Sequence, residues 1–516
     1  MIRDLLRERP ASGDVADVCV VGAGAAGLLL AVELTRQGKR VMVVEGGGRE
    51  VEEPAQEPYR SEVVGHVHRG IHGGRFRAHG GTTTRWGGQI FELDEEDFAR
   101  REWVEGSGWP ISKQELEPFY RRALAFEGIG GAIREDAEVW RRLGLRVPEF
   151  SGLESYFTRW CPEPNFARLH AKVLEESETL QVWLHANAVE LVLEGERAVG
   201  LRCRTQAGQE MVVRAGQIVF CMGAIECVRF FLQPRESGLP WNASGMLGRH
   251  FQDHVDANAA EVRPRDRRRF AELFDNVFLG RYKYHPKLRL AAEQQRRAGV
   301  LNCAATMNFS SELDEALSAT KATAKHLLRG RWGEVKAGEV LRTVGQLPLL
   351  VRQTARYGMQ HRAYNPESSQ IWLRVHCEQR PDGESSICLS EERDSLGLLR
   401  ARLDWRVSEL ELRTIRTYAE VAAKSMSEVA EIEPDAQLMA GDEAFLARCD
   451  DSNHHMGGMR MAASASKGVV SPELLLHGTR NAYVCSGAVF PTSGFSNPTH
   501  TVLALAMRLA DRLARV

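Results

Sequence analysis

Asp17-Val18-Cys19-Val20-Val21-Gly22-Ala23-Gly24-Ala25-Ala26-Gly27, followed by Leu28-Leu29-Leu30-Ala31-Val32-Glu33-Leu34, is the stretch on which the fold turns. Val18 to Val21 is a short apolar run suited to a buried parallel strand. Three glycines follow in the pattern Gly-x-Gly-x-x-Gly, then a helix-forming segment, then Val41-Met42-Val43-Val44-Glu45 as the next strand. Such a glycine pattern is weak alone and specific between a strand and a helix, where it marks a dinucleotide site. Gly22 permits the tight turn, Gly24 lets the backbone approach a pyrophosphate, and Gly27 lets the helix pack close to the strand. Ala25 and Ala26 open the helix, whose first N–H groups and positive dipole end favour phosphate. Glu45 closes the second strand, where a carboxylate accepts hydrogen bonds from ribose hydroxyls and repels a 2′-phosphate, so NADP is disfavoured. The fingerprint alone leaves FAD and NAD both open.

A chain of 516 residues exceeds one simple core and predicts two domains. Hydrophobic content of 43% and charged content of 26% are those of an ordinary soluble globular protein. A net charge of −2 supplies no field to attract nucleic acid or an anionic membrane. The ten cysteines are scattered and form no Cys-x-x-Cys, which reads as reduced, buried thiols in a cytoplasmic protein. No run reaches the roughly 18 apolar residues a membrane span needs, and residues 1–15 lack a signal-peptide core.

Further segments carry a resemblance. Gly80-Gly81-Thr82-Thr83-Thr84-Arg85-Trp86-Gly87-Gly88 is a Gly/Thr loop, and Leu247-Gly248-Arg249-His250-Phe251-Gln252-Asp253-His254 is a second distinctive stretch. Near the C-terminus stand Asn453-His454-His455-Met456-Gly457-Gly458-Met459-Arg460-Met461, Ser486-Gly487-Ala488-Val489-Phe490-Pro491-Thr492 and Ser496-Asn497-Pro498-Thr499-His500-Thr501. Together with the fingerprint these resemble a glucose–methanol–choline (GMC) flavoprotein oxidoreductase, nearest to bacterial sugar-oxidising and pyranose-oxidase-like members.

The resemblance implies an α/β (α+β overall) fold. A Rossmann-like FAD-binding domain built from 14–255 and 450–516 is expected to interleave with a substrate domain, 256–449, on an antiparallel sheet backed by helices. It implies FAD over NAD. It places Arg85, Trp86, Gly87 and Gly88 beside the flavin ring, the backbone of Val189 against the adenine, and Gly223 and Ala224 where a buried strand returns to the cofactor. Gly487, Ala488, Asn497, Pro498 and Thr499 complete the cofactor set; Ser486 stands where better-known members carry Asp. Pyranose-oxidase-like members bear a covalent histidyl–flavin bond in a Thr-His-Trp segment. Arg85 holds that middle position here and cannot form the bond, so a non-covalent flavin is expected, with His79 the other histidine nearby.

Chemically, oxidising an alcohol needs removal of the O–H proton and transfer of the C–H hydride to the flavin N5. The His-x-x-Gly of His454 to Gly457 aligns with the family's catalytic histidine, and imidazole can take the proton near neutral pH. Asn497 aligns with the second catalytic position and can orient the hydroxyl without titrating. His455 and His500 read as ordinary core or surface histidines, and no ligand spacing supports a metal.

Ser112 with Glu115 predicts a capping box at a helix start. In the substrate half, alternation at 370–377, 386–389 and 400–405 predicts an antiparallel sheet, and Leu410 to Val429 an amphipathic helix. A basic insertion around 316–363, with its cations between Lys321 and Arg362, reads as a solvated helical face; the sharper reading is a lid or a surface docking a membrane, quinone or protein.

The expected reaction takes a secondary hydroxyl of a sugar, glycoside or polyol to a carbonyl, with a small-molecule alcohol as substrate. Oxygen, a quinone or a protein remain open as electron acceptor, and oligomeric state is open. The alternatives are a tailoring enzyme acting on a secondary-metabolite alcohol and a non-catalytic flavin-binding assembly partner.

Overall fold

The fingerprint segment folds as its composition requires. Strand Val15–Val21 runs into helix Ala25–Arg36, and strand Val41–Val44 follows, buried at all four residues. These elements belong to a computed structural model that describes residues 1–9, 15–310, 347–366 and 369–516. Gly22 sits at φ +100°, and a Cβ there would meet the Cys221 carbonyl oxygen at 2.8 Å. At Gly27 a Cβ would fall 1.9 Å from the Gly22 carbonyl oxygen, so the close helix–strand approach admits only glycine.

Three sheets organise the described residues. The first places Ile2–Asp4, Leu180–Leu184, Val41–Val44, Val15–Val21 and Glu210–Phe220 side by side in parallel, with Ala482–Val484 also parallel to Glu210–Phe220. The eleven-residue strand Glu210–Phe220 does two jobs: its second half pairs with Val15–Val21, while Glu210 to Val213 continue antiparallel onto Arg197–Arg204 and thence Asn187–Glu194. These three strands form a small antiparallel excursion that includes Val189. Helix Pro498–Ala514, with Pro498 pre-set for the first turn, packs against Ala25–Arg36 and Lys113–Phe126. Lys113–Phe126 begins at the predicted capping box, Ser112 with Glu115.

A second, nine-stranded antiparallel sheet runs Ala430–Pro434, Val255–Pro264, Gln370–Cys377, Cys303–Ser310, Tyr282–Leu290, Leu153–Trp160, Gln89–Ile90, with Val277–Leu279 and Asp450–Asp451 at its flanks. Helix Glu409–Ser425 covers one face. Two of its strands, Gln89–Ile90 and Leu153–Trp160, come from within 14–255, so the chain crosses between sheets several times. One expectation is corrected: Ser386–Arg393 and Leu399–Trp405 do not join this sheet. They form a separate three-stranded sheet with Glu62–Gly65, which runs parallel to Leu399–Trp405. Alternation fixed their strand character, but pairing partners depend on a segment more than 300 residues away. Residues 316–346 of the basic insertion lie outside the described residues; Leu347–Gln360 is helical.

A buried ion pair fastens the loop at Arg101 to the end of strand Gln370–Cys377. Arg101 donates from Nη1 to Glu378 Oε2 at 2.7 Å and from Nη2 to Oε1 at 2.5 Å, both side chains fully enclosed. Removing one partner strands a buried charge at a cost of about 3–5 kcal/mol. Arg101→Met should lower the stability read by chemical denaturation by about that amount; a loss below about 1 kcal/mol would show the pair to be dispensable.

Candidate active site

Asp253 anchors the site. Its buried Oδ1 accepts the backbone N–H groups of His254 (2.7 Å), His454 (2.9 Å) and Ser452 (3.2 Å). His68 donates from Nε2 to Oδ2 at 3.1 Å, since its Nδ1 accepts from the Ile71 N–H at 3.0 Å. Burial pushes the Asp253 carboxyl up, and these donors oppose the shift. The start of strand Val255–Pro264 is thereby fastened to the C-terminal segment 452–455.

Between these anchors Asn453 takes φ +59°, a left-handed conformation that asparagine tolerates. His454 and His455 consequently diverge. His455 turns to a cavity beside the nucleotide fold, where its buried Nε2 has no hydrogen-bond partner among the described residues and lies 3.8 Å from Asp253 Oδ2. His454 turns to the second sheet.

The hydrogen bonds of His454 fix its tautomer. His254 Nε2 lies 2.8 Å from the Gly494 carbonyl, which can only accept, so that nitrogen carries the proton. Burial and the neighbouring His376 and His454 hold the His254 pKa well below its ordinary value, leaving the ring neutral and Nδ1 an acceptor. His454 Nδ1, 2.9 Å away, is therefore the donor. The Nε2 of His454 is left with its lone pair outward and receives the Asn497 amide N–H at 2.8 Å. Burial, then His376, pushes the His454 pKa down to about 3, against an opposing pull from Asp256.

His376 completes the cluster, its ring centroid 5.3 Å from that of His454 and its Nδ1 donating to Asp256 Oδ1 at 2.6 Å. Burial resists ionisation of Asp256, but His376 and Arg374 outweigh it and hold the carboxyl well below the usual range. The imidazoles of His254, His376 and His454 have the donor set of a metal site. Yet the two Nδ1 atoms at 2.9 Å share a proton, whereas ligands of one tetrahedral zinc stand roughly 3.3 Å apart.

The cavity beside the fingerprint is lined by Gly22, Gly24, Ala25, Ala26, Glu45, Trp86, Gly223, Ala224, Gly487, Pro498 and Thr499 among the expected residues. Gly27 lies beneath the turn. Glu45 accepts from Ala23 N–H (2.8 Å) and Gly47 N–H (2.9 Å), and burial raises its pKa. Arg75, unremarked in the sequence, also lines the cavity, with a buried Nη1 that has no partner among the described residues. A helix N-terminus, an orphaned guanidinium nitrogen and an apolar wall with Trp86 fit an anionic dinucleotide bearing a flat ring.

Some expected residues fall elsewhere. Arg85 is exposed, its guanidinium 6.0 Å from the centre of the Phe76 ring, because the short helical turn Gly81–Thr84 ends there and turns it outward. Gly87 is exposed, and neither it nor Gly88 is among the lining residues. Val189 sits at a register shift in the strand pairing, and Ala186 and Ala188 form the wall instead. Ala488 is buried behind Gly487. His79 is buried but does not line the cavity, and His500 pairs with Glu127 at 2.9 Å in the core.

Fold and site together define a FAD-dependent oxidoreductase. Residues 15–65 match an FAD binding domain, and residues 165–256 and 381–506 match the two GMC oxidoreductase regions. The fructose dehydrogenase large subunit of Gluconobacter japonicus is 21% identical, the alignment covering 96% of this chain and 97% of that protein. The 2-methyl-1,2-propanediol dehydrogenase of Mycolicibacterium austroafricanum is also 21% identical, over 98% and 96%. Pyridoxine 4-oxidase from Mesorbium loti superposes with a TM-score of 0.59 at 18% identity, covering 96% of this chain and 98% of its own. Formate oxidase of Aspergillus oryzae superposes at 0.57 with 15% identity, over 98% and 99%. The chain belongs to the GMC oxidoreductases, FAD-dependent enzymes that act on CH–OH donors. Among the described residues no helix is long and apolar enough to cross a membrane.

With Arg85 turned outward, acid precipitation should leave the yellow flavin in the supernatant. Colour held in the pellet would establish a covalent bond and direct attention to His455.

Proposed function

We propose that this enzyme oxidises a secondary hydroxyl of a sugar, glycoside or polyol to a carbonyl, with His454 as the base and Asn497 as its hydrogen-bonding partner. The 2.8 Å contact between His454 Nε2 and the Asn497 amide carries the reading. An alcohol O–H entering between them donates to the His454 lone pair. Its oxygen accepts from the Asn497 amide, which steadies the charge that develops as the proton leaves. The O–H proton ends on His454 Nε2. FAD supplies the acceptor for the hydride and its electron pair, so that one C–H and one O–H bond break as the C=O bond forms.

His254 positions the base by accepting from its Nδ1, which prevents the ring from presenting the wrong nitrogen. The face of the second sheet that meets this segment supports a polyhydroxylated substrate. Gln89 donates to Thr158 at 2.8 Å, and His285 Nε2 lies 2.6 Å from Thr306 Oγ1. The curated relatives named above are dehydrogenases of fructose and of a propanediol, both alcohols.

The test is anaerobic mixing with sugars, glycosides and polyols while following the loss of flavin colour; readmitting air then separates oxidase from dehydrogenase. A flavin left oxidised by every sugar and polyol, but bleached by a secondary-metabolite alcohol, would replace this substrate class. His454→Ala should keep FAD and reduce it about 10²–10⁴-fold more slowly; reduction at the wild-type rate would remove His454 as base. Because the His454 pKa is pushed down to about 3, the neutral base persists as pH falls through the ordinary histidine range. The reduction rate should therefore stay level from about pH 8 to about pH 5 and decline only below. A decline centred near pH 6.5 would show an unperturbed histidine instead.

A further inference from the structure

Strand Tyr282–Leu290 divides its side chains between two faces. Tyr284, Leu288 and Leu290 are buried against the core, while Lys283, His285, Lys287 and Arg289 are only partly covered and share the opposite face. Cross-strand pairing puts Lys287 opposite Tyr156 and Arg289 opposite both Glu154 and Ala304, with Ala304 in turn opposite His376. This is therefore the face that carries His376 to the catalytic cluster. Tyr156 and Ala304 also pack with Phe495, two residues before Asn497.

The other cations of this face are matched. Arg289 bonds Asp94 at 2.6 Å, Arg374 bonds Asp256 at 3.2 Å, and the Lys283 ammonium lies 3.6 Å from the centre of the Trp160 ring. Lys287 makes no hydrogen bond to, and has no carboxylate within salt-bridge distance from, the described residues. Its charge is nonetheless felt by His454 and His285, and it feels that of Asp256, so it stands within electrostatic reach of the base. Burial lowers its pKa to about 8, which leaves the ammonium form predominant at neutral pH. The side chain is only partly covered and its ammonium is not among the buried atoms, so an anion arriving from solution can pair with it.

Resting on the alcohol-oxidising reading above, we infer that Lys287 is a specificity determinant and that the alcohol oxidised here carries an acidic group, a carboxylate or a phosphate, that pairs with its ammonium. A polyol chain anchored by its acid at Lys287 would extend along this face toward His454 and Asn497. The proton and hydride take the routes already given, and the acid group takes no part in bond changes.

The test compares matched pairs in the anaerobic reduction of the holoenzyme: glucose with gluconate, glucuronate and glucose 6-phosphate, and the galactose counterparts. We expect kcat/KM for an acid to exceed that of its neutral partner at least about tenfold, equivalent to about 1.4 kcal/mol. The carboxylate and phosphate arms show which acid is preferred. In Lys287→Met the acid-to-neutral ratio should fall by about tenfold or more, through KM, while Lys287→Arg should retain it. Lys287→Gln gives the same readout should the methionine variant fold poorly. A neutral sugar preferred by the wild type, or a ratio unchanged in both uncharged variants, would overturn the inference and leave alcohol oxidation standing. No reduction by any alcohol would overturn both.

Discussion

The active site depends on one buried carboxylate. Asp253 is completely enclosed, and an anion in that position is tolerable only with donors on every side. Three backbone N–H groups and the His68 imidazole provide them. Because two of those N–H groups belong to Ser452 and His454, satisfying the charge also fixes the catalytic segment against the start of strand Val255–Pro264. The next residue, His254, then falls where it meets His454, and Asp256 falls where it meets His376.

From that anchor the chain serves two surfaces at once. Asn453 reverses direction in a left-handed turn, sending His455 to the cavity beside the nucleotide fold and His454 to Asn497 and the second sheet. Burial keeps His254, His454 and His455 neutral. A neutral ring has one donor and one acceptor nitrogen, so a single carbonyl, that of Gly494, sets the polarity of the chain through His254 to His454 and on to Asn497. A histidine kept neutral by burial is a weaker base than one in water, and in the proposed reaction the Asn497 amide would offset this by holding the developing oxyanion.

Local chemistry was legible wherever it depends on near neighbours in the chain. Gly22 and Gly27 and the Ser112–Glu115 capping box all act within a few residues, and the structure realises each. His454 and Asn497, inferred from motif resemblance, are found in contact. Arg85 and Val189 do not line the cavity: one follows the end of a helical turn and the other sits at a register shift, and neither feature is marked in the local sequence. His254 and His376 passed without a role although Asp253-His254 had been noted and His376 sits in an alternating strand. Their meaning lies in partners 200 and 120 residues distant.

By itself the sequence determined the nucleotide fold and its cofactor class, and it singled out His454 through a His-x-x-Gly segment, because glycine geometry, strand periodicity and that motif are written in consecutive residues. The tertiary structure alone decided which nitrogen of His454 meets Asn497, which cation on the second sheet has no partner among the described residues, and that two strands of the substrate half form a separate sheet with a strand from near the N-terminus. Each of these is settled by hydrogen bonds, pairing or charge balance between segments far apart in the chain, where no local spacing rule reaches.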